Sequence, residues 1–533
     1  MATAVPTKPS FSEAATLPEL TPEYMGKHYP SYLELIQAQV FFRHGERSPI
    51  ATRFSSQSQW AFCERANYLY SEFMTAIGKF VPRQEAMPSP NPDLIASGHS
   101  DPRYTKRTAT LKSGIEYEPA AWSLRLTQDS KALDGNTSGS GPVAAAEDSW
   151  EPTMCDMGQL TDVGLDSLFR TGSFLRSLYV DKLNFLPPTP EGKVSDYIYV
   201  RTTDYSRVIQ STHALLVGLY PGHPQSAWTG RWTTFNKDFL ALFPMFTRRH
   251  NHETMHGNFG CYEFMRSFTN TMVEPARKIK WIDDLYKQTV ALKSIGAQAR
   301  EILAEPAFGS NFHKIYDELV AMKGHGMAIP DDISQDYLNR LGEASHYQRS
   351  HVMVYTKYQR LGFGRLVNEV VSTMTQAAHG RYQPWYKGWG AVPIGPQRTG
   401  DLLIGPGGLS EVSGSDIPRV PKLALYGGHD VTVGPLSTIM GNQSEEWVPF
   451  ASILTFELFK DREEGGKYVR VKLNDRVLQV PTCEIPGKHH AKMGSTMCTF
   501  DAFMEHVQPL LASEDDYKNE CGEFPKNSKK LDL

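Results

Sequence analysis

Three short segments carry side chains whose combination suits phosphate chemistry. The first, Arg43-His44-Gly45-Glu46-Arg47-Ser48-Pro49, places two guanidiniums beside an imidazole, and Gly45 allows close backbone approach. An arginine fork binds phosphate oxygens in pairs, so two forks next to a histidine imply a dianionic ligand. The second, Arg201-Thr202-Thr203-Asp204-Tyr205-Ser206-Arg207, adds cations and hydroxyls. The third is His429-Asp430, behind Gly427 and Gly428, which leave room for a ligand. Each has a plainer reading alone: exposed or salt-bridged arginines, and an aspartate starting a helix at its positive dipole end. All three following strand-like runs is what favours chemistry, because ligands of open α/β sheets bind beyond the carboxyl ends of strands.

The elements that must position them are legible. Leu33 to Phe42 is an apolar run ending in the first cluster, and Asp196 to Arg201 leads into the second. Lys422 to Tyr426 precedes the third, with a helix expected over Thr432 to Met440 and Gly441 as its stop. Apolar residues from Leu160 to Leu178 repeat with largely helical spacing, and Thr161 and Asp162 suit a helix start. Further helices are expected from about Asp204 to Leu219, Met353 to Ala378 and around Tyr68 to Val81. Ala451 to Phe459 and Tyr468 to Leu473 read as an antiparallel pair, Asp134 to Pro142 as a surface loop, and Pro384 to Pro418 as one long loop. Strands alternating with helices indicate an α/β sheet.

Composition sets the outer limits. The 533 residues are 40% hydrophobic, 11% aromatic and 21% charged, which excludes a disordered or collagen-like chain. A net charge of -4 argues against a nucleic-acid partner. No stretch approaches the roughly 20 apolar residues of a membrane span, so no stable membrane insertion is expected. The first residues show neither an apolar signal core nor arginines before Arg43, so the expectation is a soluble cytoplasmic protein; a secreted or mitochondrial one would need a longer N-terminus. Free thiols are then expected for the six cysteines, although Cys483 and Cys498, flanking a polar loop, could pair in an oxidising compartment. The oligomeric state stays open.

RHGERSP at 43–49, RTTDYSR at 201–207 and GGHD at 427–430 resemble the histidine acid phosphatase branch of the histidine phosphatase superfamily. The resemblance takes in Gly158-Gln-Leu-Thr161 with Gly164, Gly364 to Asn368, and Val469 to Asn474. It covers about 30–50, 155–222 and 350–505 in the right order. LYGGHDVT at 425–432, Trp447 to Phe450 and Phe456 to Phe459 look most like the lysophosphatidic acid phosphatase group. Ile50, where many phytases continue with threonine, and the sparse cysteines depart from the phytases.

The resemblance implies a phosphoglycerate mutase-like, three-layer α/β sandwich with a central mixed sheet. It also implies metal-independent, cofactor-free hydrolysis of phosphate monoesters. His44 would be the nucleophile and Asp430 the proton donor to the leaving oxygen, then the acceptor from water. Arg43, Arg47, Arg207 and His429 would grip the phosphate. The expected substrate is a small-molecule or lipid phosphate monoester, with lysophosphatidic acid a candidate and an acidic optimum expected. Alternatives are a phytase-like inositol phosphate phosphatase and a non-catalytic phosphate-binding scaffold.

The expected organisation is an N-terminal arm at 1–30, an α/β domain from 31–222 and 351–533 with an insertion at about 50–150, and a mostly helical cap at 223–350. Two motifs compete for attention. His252-Glu253-Thr254-Met255-His256 spells HExxH, a zinc-hydrolase pattern, but its flanks are polar and lack a third ligand. A loop touching the substrate is the other functional reading. The sequons at Asn136 and Asn442 matter only in a secreted chain.

Overall fold

The computed structural model describes residues 15–51, 54, 60, 62, 63, 65–67, 109–110, 116–117, 155–221, 242–248, 253–257, 261–267, 279–297, 299–300, 312–350, 353, 355–379, 401–405, 408–411, 420–442, 447–511 and 514–522. In chain order the strands of its main sheet are β1 (Leu33–Arg43), β2 (Ile198–Thr202), β3 (Met245–Arg248), β4 (Asp401–Gly405), β5 (Gly408–Glu411), β6 (Leu423–Gly428), β7 (Ile453–Asp461), β8 (Lys467–Leu473), β9 (Arg476–Val477), β10 (His489–His490) and β11 (Gly494–Thr499). They form one eleven-stranded sheet ordered β10-β11-β8-β7-β1-β6-β2-β3-β4-β5, with β9 paired to β8. The central four, β1, β6, β2 and β3, run parallel. Both flanks are antiparallel.

The α-helices given for the described residues are α1 (Pro22–His28), α2 (Asp162–Arg176), α3 (Ser206–Leu219), α4 (Lys280–Ala291), α5 (Phe312–Gly324), α6 (Gln335–Ser350), α7 (Thr356–His379), α8 (Asp430–Ile439), α9 (Phe500–Val507) and α10 (Glu514–Cys521). Successive strand side chains point to opposite faces, and the central strands use this to feed two cores. Val40, Phe42, Val200, Leu423 and Leu425 join Leu165 and Leu168 of α2 and Leu215 of α3. Phe41, Tyr199, Ala424 and Tyr426 join Leu366 and Val370 of α7, Leu436 of α8 and Phe503 of α9. Each valine, leucine or phenylalanine among them contributes about 1.5–3 kcal/mol by leaving water. The result is a mixed sheet between two helical layers, the sandwich expected. A separate cluster gathers Ile282, Phe312, Ile315, Leu319, Tyr337 and Leu341 of α4 to α6 with Phe54 and Trp60.

Several details differ from the sequence reading. β3 lies inside the stretch read as cap, yet it pairs with β2 and β4 in the main sheet. β4 and β5 form a hairpin within the segment read as one long loop, because Pro and Gly punctuation hides strands this short. All six cysteines pair, as Cys63–Cys155, Cys261–Cys521 and Cys483–Cys498, which corrects the free-thiol expectation. The helix expected around Tyr68 to Val81 and the loop expected over Asp134 to Pro142 lie outside the described residues. Among those described, no helix is long and apolar enough to cross a membrane.

Candidate active site

The parallel strands end together. Beyond β1, the His44 N–H donates to the Gly428 carbonyl at 3.1 Å, and beyond β2 the Thr203 N–H donates to the Gly427 carbonyl at 3.1 Å. The ladder thus runs on past the strands and fixes the three sequence clusters side by side. Gly45 is required by crowding: a Cβ there would sit 2.3 Å from the Gly164 carbonyl oxygen at the start of α2. Thr161 caps that helix by accepting from the Gly164 N–H, and its own hydroxyl donates to the Glu46 carbonyl at 3.0 Å. The Gly158-Gln-Leu-Thr161 run therefore braces the first cluster.

His44 is buried, and its Nδ1 lies 2.8 Å from the Gly45 carbonyl. A carbonyl only accepts, so Nδ1 carries the proton and Nε2 keeps a lone pair. Burial, then the charges of Arg207, Arg47 and Arg43, hold its pKa well below the ordinary histidine value. The ring is neutral, the form a nucleophile needs. His429 faces it with ring centres 5.4 Å apart. The Arg207 Nη2 donates to His429 Nδ1 at 3.4 Å, leaving Nε2 to donate to Thr203 Oγ1 at 3.0 Å. Burial and then Arg207 likewise push the His429 pKa well down.

α8 starts two residues earlier than read from the sequence, making His429 its N-cap and Asp430 its first residue. Asp430 Oδ2 lies 3.2 Å from Arg43 Nη2, while Arg43 Nη1 donates to the Val448 carbonyl at 2.6 Å. The Arg43 guanidinium rests 4.0 Å above the Phe450 ring. Burial lowers the Arg43 pKa, and the neighbouring Asp430 charge opposes that shift. Burial and then Arg47 bring Arg207 down to about 9, so it too remains cationic at neutral pH. Six expected residues, Arg43, His44, Arg47, Arg207, His429 and Asp430, are thus within one another's reach.

Sequence reasoning missed two participants. Asp317, on α5, grips both Nη atoms of Arg47 at 3.0 and 2.6 Å and accepts from the Ile50 N–H at 3.1 Å. Burial opposes the Arg47 charge, but the Asp317 carboxylate outweighs it and raises the pKa. Nothing local in the α5 sequence marks this aspartate, since its partner lies 270 positions away. Phe450 was visible only as part of the Trp447 to Phe450 segment.

The HExxH spelling is accounted for otherwise. Glu253 is buried, pairs with Arg201, and accepts from the Thr254 and Met255 N–H groups at 2.8 Å. Arg201 also pairs with Glu369, which binds Arg248 at 2.7 Å, so the Glu253 carboxylate is held in an ion network and is not free to serve as the base of that spelling. His252 lies outside the described residues, and the His256 ring packs 4.8 Å from that of His429. Among the described residues Asp461, Glu464 and His490 form a trio with metal-like spacing. Their donors are committed: Asp461 Oδ1 accepts two backbone N–H groups, Oδ2 meets His490 Nε2 at 2.8 Å, and His490 Nδ1 accepts from Lys492 and Met493. Asp461 pairs in register with Leu33, at the opposite end of β1 from His44.

A neutral imidazole in an arginine cradle, with a carboxyl group at hand, is the equipment of a phosphoric monoester hydrolase. A sequence model of the histidine phosphatase superfamily (branch 2) matches residues 34–474, and the chain belongs to that family. It is 21% identical to human 2-phosphoxylose phosphatase 1 over 512 residues, covering 92% of this chain and 81% of that one. It is 24% identical to the lysosomal acid phosphatase of Xenopus laevis over 381 residues, covering 68% and 71%. Counting factor 60 of Dictyostelium discoideum is 25% identical over 371 residues, covering 69% and 73%. Among solved structures, Hafnia alvei phytase in complex with myo-inositol hexakis sulphate matches with a TM-score of 0.48 and 12% identity, covering 91% of this chain and 98% of that one. The chain is a phosphoric monoester hydrolase of the histidine acid phosphatase type.

Proposed function

We propose that the chain hydrolyses phosphate monoesters through a phosphohistidine on His44, without a metal. One observation carries this: the His44 Nδ1 proton is held by the Gly45 carbonyl, which presents Nε2 as a lone pair among three arginines. Nε2 attacks phosphorus, the N–P bond forms, and the bond from phosphorus to the leaving oxygen breaks. Asp430, next to Arg43, delivers its proton to that oxygen. Water then attacks phosphorus, Asp430 takes its proton, and the N–P bond breaks to release inorganic phosphate. Arg43, Arg47 and Arg207 hold the non-bridging oxygens, while His429, its one proton given to Thr203, positions Arg207 through Nδ1; phosphoryl transfer asks mainly for positioning and charge, which guanidiniums supply. The Nε atoms of Arg43 and Arg47 are buried N–H donors that find no acceptor among the described residues, and phosphate oxygens fit that need.

The finer substrate reading is a lysophospholipid monoester such as lysophosphatidic acid. Ile50 and Met157 support it, being exposed apolar side chains at 40% and 56%. A Cβ added at Gly158 would lie 3.4 Å from Ile50 Cγ2 and 3.8 Å from Arg207 Nη1, so this apolar rim adjoins the phosphate cradle. We also propose an oxidising compartment in place of the cytoplasmic one expected from the sequence, because paired cysteines of this number persist there. Asn442 is no glycan acceptor in this arrangement: it is buried, with its amide donating to Ser437 Oγ at 3.1 Å.

The test is turnover of an aryl phosphate at mildly acidic pH with chelator present. Activity is expected to persist with chelator and to vanish in His44→Ala. Chelator-sensitive turnover, or an active His44→Ala, would overturn the reading.

A further inference from the structure

We propose that Asp317 matches the pocket's charge to one phosphate, restricting the site to monoesters whose leaving group carries no second phosphate close to the cradle. This rests on the phosphatase reading and names its substrate class.

The charges facing the site among the described residues can be taken in turn. Arg43, Arg47 and Arg207 are cations, His44 and His429 are neutral, and the His256 ring lies against His429. Asp204, in the loop after β2, is raised to about 7 by burial and the nearby Glu253 charge, so in acid it adds no anion. Glu46, behind Arg43, is raised to about 7 by burial and behaves alike. That leaves Asp430 and Asp317. With Asp430 protonated as the acid, three cations face Asp317 and a phosphate dianion, and the charges cancel. Among the described residues that face the site, no arginine or lysine is left over for a second phosphate.

Geometry points the same way. Asp317 occupies one hydrogen of each Arg47 Nη atom, and Ser48's carbonyl takes another at 3.0 Å. Arg47 therefore keeps only its Nε hydrogen and one Nη2 hydrogen for substrate oxygens. A second phosphate near Arg47 would meet the Asp317 carboxylate, and near Arg207 it would meet the apolar Ile50. Like charges a few ångströms apart in a partly dry site repel strongly. The asparagine variant keeps the shape and removes the charge.

The experiment compares wild type, Asp317→Asn and Asp317→Glu on glycerol phosphate and inositol hexakisphosphate, reading kcat and KM separately. The same two compounds are titrated calorimetrically into His44→Ala with and without Asp317→Asn, so that binding is read independently of turnover. Wild type is expected to favour the monophosphate, and Asp317→Asn to narrow that preference on the order of tenfold or more. The narrowing should lie mainly in KM and binding, and Asp317→Glu should restore the preference. A hexakisphosphate bound or hydrolysed by wild type as well as glycerol phosphate, or a preference unchanged in Asp317→Asn, overturns the proposal. Absence of turnover in every variant would instead remove the phosphatase reading, with the binding comparison still deciding the role of Asp317.

Discussion

Replacing Glu46 with glutamine separates a titrating group from the shape it occupies. Glu46 is buried, accepts from the Ser167 hydroxyl at 3.1 Å, and its other oxygen finds no hydrogen-bond partner among the described residues. Burial raises its pKa from 4.5 to about 7. Below pH 4.5 both folded and unfolded chains keep this proton, and the group costs nothing. Between 4.5 and 7 the unfolded chain releases the proton while the folded chain holds it, so stability falls as pH rises. At about 1.4 kcal/mol per pH unit between 4.5 and 7, the loss approaches about 3.5 kcal/mol, with about 3 kcal/mol of it present by pH 7.5. Glutamine keeps the Ser167 contact and never ionises. Urea unfolding with disulfides intact should therefore show wild type and Glu46→Gln nearly alike at pH 4.5, and the variant more stable by about 3 kcal/mol at pH 7.5. The charge also bears on function, since an ionised Glu46 would offset Arg43; in acid the cradle keeps its full field. A stability difference that does not change with pH would refute the reasoning.

Other outcomes follow from the same geometry. Arg207→Ala should lower kcat on the order of 10² to 10³-fold in steady-state assays, the usual cost of one preorganised donor to a transition state. Phe450→Ala should cost about 3–5 kcal/mol in denaturant unfolding through lost packing, and lower activity as well, because Arg43 loses the ring beneath it. Reducing the disulfides should lower the melting temperature, with Cys261–Cys521, which joins positions 260 apart and ties α10 to the segment after β3, contributing about 2–5 kcal/mol.

The candidate site residues were legible because their motifs follow directly where strand signals stop. An apolar run into Arg43-His44, another into Thr202-Thr203 and a third into His429-Asp430 place their chemistry at the same sheet edge, and parallel pairing does the rest. Asp317 was not legible: a polar residue on one face of an amphipathic helix looks the same whether it meets water or an arginine. Two of the three disulfides escaped for a similar reason, as partners 92 and 260 residues apart leave no local spacing to read, whereas Cys483 and Cys498 are near enough to have been read as a possible pair. β3 was lost because four residues directly after Pro244 are too few to show a period. The Glu253 network shows the converse, a motif spelling whose buried carboxylate is consumed by Arg201.

The most direct measurement is rapid mixing with a labelled phosphate monoester, an alkaline quench, and peptide mapping by mass spectrometry. The account predicts an acid-labile, base-stable phosphoryl group on His44 that forms and decays at rates compatible with kcat, and that is absent in His44→Ala. Turnover with no such adduct, or label on any other side chain, would contradict it.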